Sequence, residues 1–161
     1  MAIGKGAIDR KALERLGRKF GKMPGDVRMA ARKAIKEGGE DIVALQTRLA
    51  PQGETGNLKA GGKVVLAPGD LPAADIVNKS RIAHLVEFGT PPHKIRARRK
   101  KVMATQGSAG EPPALLGKEV DHPGAKPQPF FFPAYRAKKT GAKARVSRAI
   151  TKAVKDRAKR G

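Results

Sequence analysis

Between Asp26 and Pro51, small or apolar residues recur at steps of three and four: Val27, Ala31, Ala34, Gly38, Ile42, Leu45 and Leu49. A strand repeats its faces every second residue and cannot gather this set on one side. A helix of 3.6 residues per turn aligns it as one stripe. The spacing therefore predicts a long amphipathic helix, with Arg28, Arg32, Lys33, Lys36, Glu37, Glu40 and Asp41 falling largely on its other sides. Asp26 provides an N-cap or first-turn acid, and Pro51 ends the helix because it has no amide donor to continue it. At about 1.5 Å per residue the helix spans roughly 36 Å, long enough to back a whole sheet.

The other elements are arranged around that helix. A shorter helix is expected from Ile8 to Phe20, carrying Ile8, Ala12, Leu16 and Phe20 on one side and interrupted by Gly21 and Pro24. After the turn-rich link from Gln52 to Asn57, Leu58 to Ala67 reads as a strand. Its Gly61-Gly62 pair marks a bulge or a close backbone approach. Pro68-Gly69-Asp70 turns the chain, and Ala74 to Asn78 returns as a second strand. Arg81 to Phe88 is expected to be a short helix with Ile82, Leu85, Val86 and Phe88 inward. Lys94-Ile95-Arg96-Ala97-Arg98 alternates charged and apolar residues at the period of a strand, and Leu115 to Val120 returns beside it. Residues 94–120 thus form a basic hairpin arm with a Gly-, Ser- and Pro-rich tip.

The prolines from Pro127 to Pro133 predict an extended segment, since each restricts the residue before it. Pro133 suits the first turn of a closing helix, whose narrow apolar stripe is Ala142, Val146, Ala149, Ile150, Ala153 and Val154. The fold class is therefore α+β: a long N-terminal helix on a mostly antiparallel sheet, with a basic hairpin arm and a C-terminal helix. Residues 1–161 are read as one domain, fraying over 155–161.

Composition removes several functions. Cysteine is absent, which excludes disulfides and thiolate metal sites. No apolar run approaches the roughly 18 residues of a membrane span. The start Met1-Ala2-Ile3-Gly4-Lys5-Gly6 lacks a signal-peptide core, so use in the cytoplasm, or in a particle assembled there, is expected. No phosphate-binding loop, nucleophile elbow or paired-carboxylate motif is visible, so no catalytic residue, metal or cofactor is expected. Lys and Arg total 35 against 14 Asp and Glu, a formal charge of +21. Such a chain seeks polyanions or acidic protein surfaces. With no Trp, one Tyr and five Phe, it has few large side chains for a core and is expected to draw stability from neighbours.

Several segments occur in a telling order. Leu49-Ala50-Pro51 precedes Thr55-Gly56-Asn57-Leu58. Ala83-His84-Leu85-Val86-Glu87-Phe88-Gly89-Thr90 follows, then His122-Pro123-Gly124, Lys126-Pro127-Gln128-Pro129-Phe130 and Pro133-Ala134. Together they resemble the small neck or tail-completion (minor tail) proteins of lambda-like siphophages, over about residues 8 to 155. Two departures are the looser Gly53-Glu54 spacing before Thr55 and a more basic composition than many members have. The resemblance implies a virion protein at the head–tail junction, assembled in the host bacterial cytoplasm. Its subunits would form a homo-oligomeric ring, a hexamer by expectation. The ring would lie between head-closure proteins and the tail terminator or tube, and DNA would pass through it. The rival reading, which composition alone would favour, is a sequence-independent nucleic-acid-binding protein of ribosomal or chromatin-like type.

The candidate contact residues follow from these motifs. Lys94, Arg96, Arg98, Arg99, Lys100 and Lys101 of the arm are candidates for DNA or an acidic ring face, against a plain solvated hairpin. Thr55, Gly56 and Leu58 form a contact loop or a turn that needs positive φ at Gly56. Glu87, beside Phe88 and Gly89, either meets a basic residue of the next subunit or caps its own loop. Phe130, Phe131 and Phe132 read as packing anchors rather than a stacking platform for bases. His84 and Glu87, three residues apart, with His93 and His122, lack the further ligands a metal site needs.

Overall fold

The computed structural model describes residues 15, 17–19, 21–53, 55–69, 71–97, 103–104 and 115–160. In chain order the elements are helix α1 (Gly25–Leu49), the single turn α2 (Asn57–Ala60), strands β1 (Gly62–Leu66) and β2 (Ala74–Asn78), and helix α3 (Ala83–Phe88). Strands β3 (His93–Arg96), β4 (Met103–Ala104), β5 (Leu115–Gly117) and β6 (Glu119–His122) and helix α4 (Phe131–Ala158) follow. Residues 15, 17–19 and 21 are also helical; the remainder of the helix expected at Ile8–Phe20 lies outside the described residues. The class is α+β, and every strand pair is antiparallel, in ladders β1–β2, β3–β6 and β4–β5. The chain divides into two compact units, residues 1–80 with 130–161, and residues 81–129.

The first unit is built on α1. Helix α4 runs antiparallel to it: Gln46 Nε2 donates to Phe131 O, Asp41 pairs with Arg145, and Asp26 pairs with Arg157, so rising numbers on one helix meet falling numbers on the other. Two adjacent glycines let α1 be approached from two directions. A Cβ on Gly38 would lie 2.9 Å from Ala142 Cβ of α4, and one on Gly39 would lie 3.0 Å from both Val64 methyl carbons of β1. Each interior glycine costs about 0.8–1 kcal/mol relative to alanine in an open helix, so this pair is justified only by the close packing it allows.

Gly62 makes the matching approach from the strand side, where a Cβ would stand 3.0 Å from Val43 Cγ1. The β1–β2 register runs unbroken from Gly62↔Asn78 to Leu66↔Ala74, so the glycine pair serves close approach rather than a bulge. Arg32 Nη1 donates to the carbonyls of Gly69 (2.7 Å) and Leu71 (3.0 Å), tying the hairpin's turn to α1. The buried hydrophobic residues are Val27, Ala31, Ala34, Ile42, Ala50, Leu58, Phe130 and Ala134. Phe130 alone among these is aromatic, and burying such a side chain stabilises by about 1.5–3 kcal/mol.

Two expectations for this unit need correction. Residues 57–60 form a helical turn instead of the start of a strand, because Gly56, at φ +63°, redirects the chain and the Ala60 amide donates to its carbonyl. At the end of α1, Leu49 is exposed and Leu45 only half-buried, while Gln46 takes the inward position. Position 49 lies as near the direction of Ile42 as 46 does, so the neighbours and not the period decide which is covered: Gln46 Nε2 donates to Phe131 O at 3.4 Å, at the start of α4. The start of α4 differs too: Phe131, Phe132 and Pro133 are already its first turn, and only the segment before them is non-helical. A proline is tolerated there since the first-turn amides have no intrahelical acceptor.

The second unit comprises α3 and the arm. Strands β3 and β6 pair from His93↔His122 to Arg96↔Glu119, and β4 pairs with β5 further out. The expected arm is therefore present, although Arg98, Arg99, Lys100 and Lys101 and the tip from Thr105 to Pro113 lie outside the described residues. In α3 the expected inward face is not buried: Ile82, Leu85 and Phe88 are exposed, Val86 is half-buried, and the buried residue is Glu87. A six-residue helix makes fewer than two turns, so the face that turns inward is chosen by packing and not by periodicity.

Candidate functional site

Two of the motif segments read from the sequence meet at the base of the arm. Gly89 ends α3 with φ +71° and ψ −178°, a combination open mainly to glycine. It sends Thr90 into a two-way backbone bridge with Ala125: each amide donates to the other's carbonyl, at 2.9 and 3.0 Å. The Gln128 amide then donates to Val86 O at 2.8 Å. Neither glycine of this clasp can gain a side chain. A Cβ on Gly89 would stand 2.5 Å from Ala125 O, and one on Gly124, at φ +81°, would overlap Thr90 O. The Glu87-Phe88-Gly89-Thr90 segment and the Gly124 to Gln128 segment are thus two sides of one backbone clasp.

His93 and His122 sit at the arm's first cross-strand position, with rings stacked 5.0 Å apart at 28°. His122 Nδ1 accepts from the Gly124 amide at 3.0 Å, and His93 Nδ1 lies 3.0 Å from Pro91 O. Beyond them, Lys94 Nζ is 2.9 Å from one oxygen of Glu119 and 3.8 Å from Asp121, and Arg96 Nε is 3.0 Å from the other oxygen of Glu119. The hydrogen bond from Lys94 holds the Glu119 carboxyl below its ordinary value; a small burial effect opposes this, and the charge and hydrogen bond of Arg96 add to it.

Two of the arm's six candidate cations therefore already face acids of their own strand pair. Both remain exposed, and exposed pairs of this kind contribute little stability. The cations at 94 and 96 mirrored by acids at 121 and 119 were a legible register signal that the alternation of β3 alone did not reveal. His93 and His122, read separately in the sequence, are brought together by the same register. Among the described residues, no group of three or more His, Cys, Asp or Glu side chains is arranged to hold a metal ion.

Glu87 keeps only 6% of its surface exposed, while its neighbour Phe88 keeps 56%. Glu87 is engaged within the chain, as is Phe88. The exposed side of α3 therefore carries Leu85 and Phe88, with Ile82 at its N-cap, at three-residue steps as an apolar stripe. In the first unit Thr55 is exposed, Gly56 supplies the left-handed turn, and Leu58 is buried. The phenylalanines grade outward: Phe130 is 1% exposed, Phe131 half-buried and Phe132 exposed, with edge-to-face contacts of 6.5 and 5.5 Å between successive rings. The structure thus separates three residues that the sequence presents as one run.

No described helix is long and apolar enough to cross a membrane. No curated protein and no solved structure is significantly similar to the chain. A family comparison does match, over a stretch that holds α1, α2, the β1–β2 hairpin, α3 and Gly89 of the clasp. That family is one of phage structural tail components and not of enzymes. Residues 14–89 of the chain match the HK97-gp10-like family, described as "Bacteriophage HK97-gp10, putative tail-component".

Proposed function

We propose that the chain is a ring subunit at the phage head–tail junction, completing the neck or tail and joining it to the head around the DNA channel. The observation that carries the reading is the tail-component family match over residues 14–89. The clasp supports it, since it unites the motif segments inside the match with those beyond it, at Ala125 and Gln128.

The surface supports a subunit that docks on others. Ile82, Leu85 and Phe88 form an exposed apolar stripe on α3, and Phe132 and Tyr135 are exposed at the start of α4. Aromatic and apolar side chains left in water are what protein interfaces recruit. In this reading the stripe meets a neighbouring copy in a homo-oligomeric ring, sixfold by the family resemblance. Tail-terminator or tube proteins and head-closure proteins flank that ring. The arm's outer cations, Arg98 to Lys101, reach an adjacent acidic ring face or DNA. The protein then resides in the virion.

The test is electron microscopy of lysates from a phage carrying a stop codon in this gene. DNA-filled heads beside finished but unattached tails, or tails failing at their head-proximal end, are the expected products. Normally joined particles would remove the junction role and leave sequence-independent nucleic-acid binding as the main function.

A further inference from the structure

The cations in the second half of α4 differ in their partners. Arg145 and Arg157, on the side toward α1, pair with Asp41 at 2.7 Å and Asp26 at 3.3 Å. Arg148, Lys152, Lys155 and, just past the helix end, Lys159 continue from Arg145 at steps of three, four, three and four along one flank of α4, all exposed. Among the described residues none of these four makes an ion pair, and they border one shallow groove of about 330 Å³ with the exposed hydroxyl residues Ser147 and Thr151. Asp156, half-buried, is the one acid in that groove.

We infer that this stripe of α4 is a duplex-DNA phosphate-binding surface. Phosphate backbones are contacted by Lys and Arg together with Ser and Thr hydroxyls, which is the composition found here. A protein partner would instead call for an apolar centre, and lysine is depleted at such interfaces. Spacing agrees. From 148 to 159 the helix rises about 16 Å, a length over which duplex DNA presents roughly ten phosphate charges, so every cation has a phosphate within reach. The stripe lies on a helix already held by α1, so binding orders only side-chain ends. The inference rests on the junction reading for the occasion on which DNA is met, and it assigns the face that meets it.

The test measures binding of the full chain to random-sequence duplex DNA against salt concentration. Two variants are compared with the natural chain. One replaces Arg148, Lys152, Lys155 and Lys159 with Gln, a good helix former. The other replaces Lys22, Lys33, Arg48 and Lys63 with Gln, removing the same charge from exposed positions elsewhere. Four lost phosphate contacts should lower the slope of log affinity against log salt by about 3–4, so that affinity falls about 10²-fold less between 50 and 200 mM salt than in the natural chain. The second variant should change the slope by about one or less.

Equal slopes for the two variants would overturn the inference, since net charge alone would then account for binding. So would an unchanged DNA slope in the α4 variant accompanied by lost binding to poly-glutamate, which would make an acidic protein the partner. These outcomes are distinct from the lysate test: joined particles without the gene would remove the junction role and leave the salt slopes as they are.

Discussion

The same substitution, glycine to alanine within a long helix, should have opposite effects at two positions. Gly141 is exposed in α4, and a Cβ there meets no atom within 4 Å. Gly141→Ala should therefore stabilise by about 0.8–1 kcal/mol, the helical preference of alanine over glycine. Gly38→Ala gains the same preference but places its Cβ 2.9 Å from Ala142 Cβ and 3.3 Å from Ala142 Cα. Carbon atoms prefer about 3.5–4.0 Å, so the two helices must part by several tenths of an ångström along a contact that holds most of the core. Overpacking of this order costs about 1–3 kcal/mol, leaving Gly38→Ala destabilised by about 1 kcal/mol once the helical gain is subtracted. For a chain of 161 residues, each kcal/mol moves Tm by about 2–4 °C. Urea and thermal unfolding of both variants should show midpoints moved in opposite directions. Adding Ala142→Gly to Gly38→Ala should recover about 1 kcal/mol beyond additivity, because the clashing Cβ is removed. Equal stabilisation by the two alanine substitutions would refute the close approach of α1 and α4.

Further perturbations isolate other features. Phe130→Ala should cost about 3–5 kcal/mol in chemical denaturation, and Phe132→Ala less than about 0.5, because only Phe130 is enclosed; similar losses at both would contradict the grading of the three rings. Gly124→Ala should abolish amide-exchange protection at Thr90 and Ala125 while leaving the α1 amides slow, since its Cβ would enter the Thr90 carbonyl; unchanged protection there would mean that the clasp tolerates a side chain. Glu119, held below its ordinary value first by Lys94, contributes stability that is present above the ordinary glutamate range and lost as pH falls through its lowered value. A carboxyl NMR titration should find it below other exposed glutamates and returned toward them by Lys94→Gln; titration at or above the ordinary value would exclude the Lys94–Glu119 contact.

How much of the protein could be read in advance depends on how far apart the deciding residues lie. The α1 stripe was legible because helical periodicity is local: Val27, Ala31, Ala34 and Ile42 are buried as their spacing requires. The β2 strand, the return of the arm and the placement of Pro133 in the first turn of α4 were legible for the same reason. Gly56 was legible as a turn residue because the left-handed conformation is the property of a single residue. The α3 face was not, since a helix shorter than two turns has no periodicity strong enough to choose between Glu87 and its apolar neighbours.

The sequence by itself thus determined most of the elements, the excess of positive charge and the ordered motifs that pointed to a phage tail component. Tertiary structure decided what those motifs are for. Gly89 and Gly124 lie 35 positions apart in the chain and yet close one backbone clasp, and Gly38 and Gly39, neighbours in sequence, serve an opposing helix and a strand respectively. It also decided which cations meet acids distant in the chain, at 94, 96, 145 and 157, and which stay exposed without an ion pair along one flank of α4. The physical reason is that backbone preference and periodicity act over a few residues, whereas close approach and charge pairing depend on which distant segments the fold brings within a few ångströms.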